Sequence, residues 1–298
     1  MMTAMQTYLP RGELLNNESL ARYTTWRVGG VAKQLYKPAD LEDLVAFVAS
    51  LPADEPVMWL GLGSNMLVRD GGFNGTVIAT QGCLSGFSVE GNLVFAGAGV
   101  ACAKVARESA RSGLSGAGFL AGIPGTMGGA LAMNAGAFGG ETWPLVKAVT
   151  TIDIRGELRQ RDPSDYEFGY RHVNGPDGEW FVSCQLKLEQ GDVEAEQASI
   201  KALLAKRGAT QPTGKPSGGS TFRNPDGDYA ARLIEQTGLK GYRIGGACVS
   251  EKHANFIIND DDASADDIES LIGYVRSQVE KVQGVRLQTE VHIVGDYK

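Results

Sequence analysis

A glycine-rich stretch near the middle of the chain offers main-chain groups, rather than side chains, for chemistry. It runs from Gly122 to Gly140, contains seven glycines and carries no charge. Glycine lets main-chain N–H groups come close to a phosphate, and successive N–H groups in such turns form a concavity that binds anions. A shorter loop of the same kind lies upstream, at Gly61–Asn65. The two loops predict a ligand with a long phosphate-bearing spine, such as a dinucleotide.

Arg171 is the first side chain that could carry chemistry. It ends the segment Tyr166–Arg171, in which aromatic residues surround it. An arginine kept near apolar groups is a permanent cation that can hold an oxyanion or a carboxylate. The alternative is a surface arginine that lies over tyrosine rings.

Ser220 and Glu290 are two further candidates. Ser220 follows Gly218 and Gly219, where a substrate could approach the backbone and the hydroxyl could transfer a proton; the alternative is a turn residue or a helix cap. Glu290 lies in a final strand predicted over Val285–Val294, on its polar face. A solvated strand face is the alternative interpretation of Glu290.

Composition excludes several classes of protein and site. The 298 residues carry a formal net charge of −7 without a basic cluster, so we expect neither a nucleic-acid partner nor a membrane partner. No apolar run could span a bilayer and the start of the chain does not resemble a signal peptide, so we expect a cytoplasmic protein. Separately, we expect the protein to be a monomer. The four cysteines and three histidines lack metal-ligand spacing, so no metal site and no disulfide framework are expected.

Periodicity places these motifs between helices and strands. The first glycine loop follows a predicted strand, Val57–Leu60, but Met66 stands where a Rossmann fingerprint would need glycine. The long glycine stretch indicates neither a linker nor a buried helix. The Gly- and Pro-rich segment Gly208–Gly219 predicts a domain boundary. The predicted helices lie at residues 41–50, 103–112, 193–207, 229–237 and 266–282, and further strands at 31–36, 66–68, 77–80, 93–98, 146–154, 158–161, 180–188, 247–249 and 255–258.

Taken together, the motifs resemble those of the UDP-N-acetylenolpyruvoylglucosamine reductase (MurB) family, in the same order and over Thr25–Val294. The glycine loops alone are similar to a wider group of FAD enzymes related to vanillyl-alcohol oxidase, and the serine motif and terminal glutamate make the match specific. The motifs that carry the resemblance are Thr25–Gly30, Gly61–Asn65, Gly122–Gly125, Asn134–Gly139, Tyr170-Arg171, Gly219–Pro225 and the strand of Glu290.

The resemblance implies an α+β fold with a two-lobed FAD-binding region of the vanillyl-alcohol-oxidase type, followed by a smaller α+β substrate-binding domain. Lobe 1 is expected over residues 1–79, lobe 2 over 80–207 and the substrate-binding domain over 208–298. The direct passage from Arg171 to Trp180 leaves no room for the insertion of the longer subtype, which carries a substrate-covering tyrosine. The chain therefore resembles the shorter, second subtype.

The resemblance also implies an activity and the residues that perform it. NADPH would reduce FAD and leave, and the enolpyruvyl ether of UDP-N-acetylglucosamine would enter the same cleft and be reduced to UDP-N-acetylmuramate, for peptidoglycan synthesis. Ser220 resembles the acid that protonates the carbon beside the carboxylate, and Arg171 and Glu290 resemble the pair that stabilises the enol-like intermediate. Tyr170, Arg223 and Asn224 are the implied substrate-binding residues.

FAD is expected to bind without a covalent bond, because Ser64 occupies the first loop and neither loop holds a histidine or cysteine. The implied cofactor-binding residues are Gly61, Gly63, Ser64, Asn65, Gly122, Ile123, Pro124, Gly125, Asn134 and Gly136. Two other functions stay open at this point: a flavin oxidase or dehydrogenase that acts on an alcohol or sugar, and a nucleotide-sugar-binding protein without catalysis.

Overall fold

A computed structural model describes residues 9–298 of the chain. The helices are α1 (Leu41–Ser50), α2 (Cys102–Arg111), α3 (Met127–Ala132), α4 (Val193–Thr210), α5 (Ala230–Gln236) and α6 (Ala265–Gln283). The strands are β1 (Glu13–Ser19), β2 (Val31–Lys37), β3 (Val57–Leu60), β4 (Met66–Val68), β5 (Phe73–Ala79), β6 (Phe87–Glu90), β7 (Leu93–Gly97), β8 (Leu114–Ser115), β9 (Gly136–Ala137), β10 (Gly140–Glu141), β11 (Val146–Asp153), β12 (Leu158–Arg161), β13 (Glu167–Gly169), β14 (His172–Asn174), β15 (Glu179–Lys187), β16 (Glu189–Gln190), β17 (Arg243–Ile244), β18 (Ala247–Val249), β19 (Ile257–Asn259) and β20 (His292–Val294).

Side-chain caps fix where two of the helices begin. The Asp40 carboxylate accepts a hydrogen bond from the Asp43 N–H at 2.9 Å and so starts α1. At α6, Ser264 and Asp267 form a reciprocal capping box, and the helix ends at Gly284, whose φ of 71° is left-handed. Both helices match the sequence prediction to within one residue at each end.

The residues divide into two compact units. The first comprises the described residues up to Asn16 together with Gln34–Gly61 and Gly75–Glu196, and the second comprises Asn17–Lys33, Leu62–Asn74 and Gln197–Lys298. The second unit is therefore assembled from three separate pieces of chain. The predicted three-part division of the chain remains a prediction.

The first unit contains two main sheets. One has the strand order β1-β2-β5-β3, in which β3 and β5 are parallel, and the other is antiparallel with the order β12-β11-β15-β7-β6. One face of α1 packs on a buried core that both sheets supply. That core consists of Tyr36, Leu44, Phe47, Val48, Ile78, Ile152 and Val182.

The second unit is built around α6. The apolar face of α6 packs against the small antiparallel sheet β17-β18-β19, and β20 pairs in parallel with β4, with His292 opposite Met66. Trp26 and Phe222 lie in the same core, and neither is more than 1% exposed. The two residues bring the Thr25–Gly30 motif and the Ser220 motif onto one apolar centre.

Three features of the fold differ from the sequence predictions. The glycine stretch contains the six-residue helix α3, because Met127, Ala130 and Leu131 supply a buried apolar face that the glycines mask in the sequence. The predicted final strand over Val285–Val294 shrinks to His292–Val294, preceded by an isolated bridge between Phe222 and Thr289. The hairpin β13–β14, which carries Arg171, was not predicted.

Within residues 9–298, no helix combines the length and the apolar character that are needed to cross a membrane. All four cysteines lie in this part of the chain, where they are buried and form no disulfide. Burial raises the pKa of Cys83 to about 11 and those of Cys102 and Cys184 to about 12. These thiols therefore stay protonated at neutral pH.

An ion-pair network covers one face of the antiparallel sheet of the first unit. Arg159 donates to Asp153 at 2.8 Å, and Glu179 accepts from Arg161 at 2.5 Å and from the Thr151 hydroxyl at 2.6 Å. Burial alone would raise the pKa of Asp153, but the hydrogen bonds from Arg159 and from backbone N–H groups hold it well below its usual range. The Arg161 hydrogen bond is the main cause that lowers the pKa of Glu179.

The network predicts a loss of stability in acid. A carboxylate whose pKa is lowered in the folded state stabilises the protein above its unfolded pKa, about 4, and this contribution disappears as the pH falls through the folded pKa. We expect Glu179→Gln to lower the free energy of unfolding at pH 7 by about 1–3 kcal/mol and to flatten its decline below pH 4, as measured by urea unfolding across pH. Glu90→Gln, at an exposed position on the same sheet, is the control, and parallel pH curves for Glu179→Gln and wild type would contradict the prediction.

Candidate active site

The first glycine loop and the long glycine stretch meet within the first unit. A Cβ atom placed on Gly61, which follows β3, would lie 2.5 Å from the Thr126 hydroxyl, so only glycine allows this approach. Thr126 is 3% exposed and precedes α3. The Met127 and Gly128 N–H groups donate to the carbonyls of Val100 and Ala98 at 2.8 and 2.9 Å, which fixes the start of α3 beside β7.

The backbone around Gly122–Gly125 is a candidate anion cradle. The Gly125 carbonyl accepts from the Cys102 N–H at 2.9 Å, whereas the Gly125 N–H donates no hydrogen bond within residues 9–298. Pro124 is exposed and Ile123 is half-buried. Of the seven glycines in the stretch, only Gly139 has a positive φ. A Cβ atom would lie 3.0 Å or less from other protein atoms at Gly128, Gly136 and Gly140, so close packing explains glycine at these three positions. The uncharged cradle fits the phosphate-bearing spine of a dinucleotide such as FAD.

The end of the glycine stretch holds Arg171. Arg171 occupies the two-residue turn of the β13–β14 hairpin with a φ of 54°, and its Nη2 donates to the Gly136 carbonyl at 2.7 Å. Its guanidinium carbon lies 5.2 Å from the centre of the Tyr170 ring, and Tyr170 is 47% exposed. The cation thus lies beside a tyrosine ring, as the alternative interpretation expects, and its proposed role in holding an oxyanion or a carboxylate remains a prediction.

Asn134 joins three parts of the first unit. It is fully buried with a φ of 47°, and its side-chain oxygen accepts from the Trp143 N–H at 3.0 Å. Its Nδ2 donates to the Glu141 carboxylate and to the Gly169 carbonyl, each at 3.0 Å. Gly169 is the residue before the Tyr170-Arg171 turn.

In the second unit, backbone hydrogen bonds bring the Ser220 segment, Glu290 and the end of the first loop together. The Glu290 N–H donates to the Thr221 carbonyl at 2.8 Å, and Asn65 Nδ2 donates to the Glu290 carbonyl at 3.1 Å. The His292 N–H donates in turn to the Asn65 carbonyl at 3.0 Å. Ser220 and Glu290 thus lie on neighbouring backbone segments.

Trp26 supports the Ser220 segment from below. The indole is fully buried, and its Nε1 donates to the Ile257 carbonyl at 2.8 Å. A Cβ atom on Gly218 would lie 2.4 Å from this ring, and the Thr25 hydroxyl donates to the Ser217 carbonyl at 2.6 Å. Thr25 also donates from its N–H to the carbonyl of Gly63, which ties the first loop to the same support.

Asn255 fixes the chain immediately after Ser220. Its carbonyl accepts from the Thr221 N–H at 2.8 Å, and its buried side chain makes two hydrogen bonds with the backbone of Phe222, at 2.9 and 2.8 Å. No sequence signal marked Asn255. Thr126 lies in the long glycine stretch and Trp26 in the Thr25–Gly30 motif, but the sequence assigned neither residue a role.

Arg223 and Asn224 have separate structural contacts. The Arg223 N–H donates to the Gln288 carbonyl at 2.9 Å, while its Nε is buried and has no hydrogen-bond partner among the described residues. Desolvation of the imidazole by surrounding protein atoms is the main cause that lowers the pKa of His292, and the positive charge of Arg223 lowers this pKa further. Asn224 Oδ1 accepts from the N–H of Ala230, at the start of α5.

Each unit therefore gathers part of the predicted site. The first holds Gly61, Gly122, Ile123, Pro124, Gly125, Asn134, Gly136, Tyr170 and Arg171. The second holds Gly63, Ser64, Asn65, Ser220, Arg223, Asn224 and Glu290.

Comparisons with known proteins match both ends of the chain. A family described as "FAD binding domain" matches residues 32–161, and one described as "UDP-N-acetylenolpyruvoylglucosamine reductase, C-terminal domain" matches residues 211–294. The chain is 60% identical over 295 residues to the UDP-N-acetylenolpyruvoylglucosamine reductase of Alkalilimnicola ehrlichii, covering 99% of each chain. It is 58% identical over 288 residues to that of Legionella pneumophila, covering 96% of this chain and 94% of the relative.

A solved structure is similar over almost the same length. The crystal structure of UDP-N-acetylenolpyruvylglucosamine reductase (MurB) from Thermus caldophilus superimposes with a TM-score of 0.82 at 34% identity. The match covers 95% of this chain and 98% of that one.

The contact between Gly218 and Trp26 predicts a sharp difference between two glycines of one segment. Gly218→Ala would press a methyl group into a buried ring, so we expect a loss of about 1–3 kcal/mol in the free energy of unfolding, measured by chemical denaturation. Gly214→Ala is the matched control, because nothing lies within 4 Å of a Cβ atom at that position. Equal effects of the two substitutions would show that Trp26 does not support this segment.

Proposed function

The chain belongs to the UDP-N-acetylenolpyruvoylglucosamine reductase family and is a flavin-dependent oxidoreductase, and from this premise we propose that it uses NADPH to reduce UDP-N-acetylglucosamine enolpyruvate to UDP-N-acetylmuramate. The family resemblance, the α+β FAD-binding fold class and the enzyme class that the sequence predicted are confirmed. The reaction would serve the synthesis of peptidoglycan precursors.

The residues of the glycine loops fit FAD. We propose that Gly61 and the backbone of Gly122–Gly125 hold its phosphate-bearing spine, which the open Gly125 N–H and the close approach at Gly61 support. When bound, FAD supplies the hydride that it has accepted from NADPH. FAD would be held without a covalent bond, because Ser64 occupies the first loop and neither loop contains a histidine or cysteine.

Three side chains would act on the substrate. Hydride addition to the alkene drives electron density onto the substrate carboxylate, so a cation and hydrogen-bond donors aimed there lower the barrier. We assign the cation to Arg171, hydrogen bonding or proton sharing to Glu290, and donation of a proton to the carbon beside the carboxylate to Ser220. Tyr170, Arg223 and Asn224 would bind the substrate, and the buried, unpartnered Nε of Arg223 supports its part.

The observation that carries this proposal is the backbone hydrogen bond from Glu290 to the Thr221 carbonyl, at 2.8 Å. It sets a hydroxyl and a carboxylate side chain on adjacent segments, and the side chain of Asn65 in the first glycine loop donates to the Glu290 carbonyl. A proton donor, an acid–base partner and a glycine loop thus share one small region of the second unit.

The proposed cofactor and substrates predict an ordered spectral change. Under anaerobic conditions, we expect the flavin absorption band to bleach with NADPH and to return when UDP-N-acetylenolpyruvoylglucosamine is added. Bleaching by an alcohol or sugar alone would favour an oxidase instead, and UDP-sugar binding without bleaching by NADPH would favour a binding protein.

The proton-donor role predicts that Ser220→Ala affects one half-reaction only. Stopped-flow absorption should show flavin reduction by NADPH nearly unchanged and reoxidation by the enolpyruvyl sugar slowed by roughly 10²–10⁴-fold, the usual contribution of general acid catalysis. Ser217→Ala removes a hydroxyl three residues away and should leave both rates near wild type. An equal loss in the two half-reactions would rule out the assigned role of Ser220.

A further inference from the structure

We propose that Asn134 is a positioning residue that holds the Arg171 turn in place for the reaction. The inference rests on the proposed role of Arg171 in reducing the enolpyruvyl substrate. The sequence analysis predicts a cofactor contact for Asn134, and that remains a prediction; the hydrogen bonds of its side chain support a different role.

The hydrogen bonds of Asn134 use up both of its donors. A primary amide has two N–H donors and one oxygen. One donor goes to Glu141 and the other to the Gly169 carbonyl, while the oxygen accepts from the Trp143 N–H. The residue is also fully buried. A side chain with no donor left and no exposed surface is suited to hold protein segments together rather than to contact a bound molecule.

The Arg171 turn needs such support because its backbone is unusual. Gly169 and His172 pair across a turn of only two residues, and Arg171 adopts a φ of 54°. A left-handed conformation is unfavourable for a residue with a side chain, so it persists only where the surroundings fix it.

Two residues of the glycine stretch form hydrogen bonds with this turn and the residue before it. Asn134 Nδ2 bonds to the carbonyl of Gly169 at 3.0 Å, and two residues further along the Gly136 carbonyl accepts from Arg171 Nη2 at 2.7 Å. One contact fixes the backbone before the turn and the other fixes the guanidinium itself. Displacing the first contact therefore moves the cation.

Aromatic packing makes the arrangement rigid. The indole of Trp143 lies 5.3 Å from the Phe168 ring and 4.6 Å from the Tyr166 ring, and its Nε1 donates to the Leu131 carbonyl at 2.8 Å. The backbone N–H of Trp143 is the donor to Asn134. Asn134 thus connects a fixed aromatic cluster to the turn, and its own left-handed φ of 47° is one that asparagine adopts more readily than most residues.

The test uses Asn134→Gly in the FAD-bound enzyme. Glycine accepts the same backbone conformation and removes the side chain with its amide. We expect FAD to remain bound and flavin reduction by NADPH to be near wild type, whereas reoxidation by the enolpyruvyl sugar slows roughly 10–100-fold, the effect of a displacement of about 1 Å in a reacting group. Hydrogen–deuterium exchange should also become faster in the peptide that spans residues 166–175.

Thr142→Val is the matched control. Thr142 is fully buried in the same loop and its hydroxyl donates to the Ala135 carbonyl at 2.7 Å, but it does not bond to the hairpin. This variant should lose a similar buried hydrogen bond while exchange at residues 166–175 and reoxidation stay near wild type. Asn134→Leu keeps the branched shape of the side chain but removes both donors without placing a second carboxyl group beside Glu141, and it should reproduce the selective defect if the glycine variant is unstable.

Two outcomes would overturn the proposal. Unchanged exchange at residues 166–175 in both Asn134 variants would show that the amide does not hold the turn, and loss of FAD with equal slowing of both half-reactions would make Asn134 a cofactor contact. Arg171→Lys separates this inference from the proposed function. If Arg171→Lys leaves reoxidation unchanged, the assigned role of Arg171 fails; if it slows reoxidation and Asn134→Gly does not, only the present inference fails.

Discussion

The second unit depends on one buried contact, the indole of Trp26 beneath Gly218. The ring is fixed by its bond to the Ile257 carbonyl, and the Trp26 carbonyl accepts from Asn259 Nδ2 at 3.0 Å. Because these hydrogen bonds hold the indole in place, they also fix the position of Gly218, which packs directly against the ring. The position of Gly218 fixes the chain before Ser220, and the hydrogen bonds of Asn255 to Phe222 fix the chain after it. The position of the Ser220 hydroxyl therefore depends on the buried indole of Trp26, which supports the preceding glycine.

In the first unit, glycine residues and the side-chain amide of Asn134 fix the position of the Arg171 turn. We propose that the glycine stretch supplies backbone to a ligand at one end, near Gly125; at the other end, the Gly136 carbonyl accepts a hydrogen bond from Arg171. The two ends are separated by α3, whose first N–H groups donate to the carbonyls of Val100 and Ala98, while the Ala130 N–H donates to the Thr126 carbonyl. A stretch of uniform composition therefore contains three structurally different parts, the loop at Gly122–Gly125, the helix α3 and the segment at Gly136, which its composition does not distinguish.

The predictions from sequence succeeded where a local rule decides the outcome. The bounds of α1 and α6 followed from their caps and apolar periodicity, and the α+β FAD-binding class followed from the order of the motifs. The errors arose where contacts distant in sequence decide. Glycines hid α3, and the two-residue turn at Arg171 carries none of the glycine or asparagine that usually marks such turns. The final strand kept the predicted alternation of buried Leu287 and Val291 with exposed Gln288 and His292, but only its last three residues pair as a strand.

The parallel pairing of β4 with β20 has a consequence for how the protein folds. Asn65 and Glu290 are 225 residues apart in sequence, yet their contact completes the serine and glutamate region. During synthesis at about 5–20 residues per second, the first glycine loop waits for its partner for more than ten seconds. Closing so long a loop before its contacts form is also slow. The region that we assign to proton transfer is therefore expected to form late, and a nascent chain gains this chemistry only after Glu290 has been made.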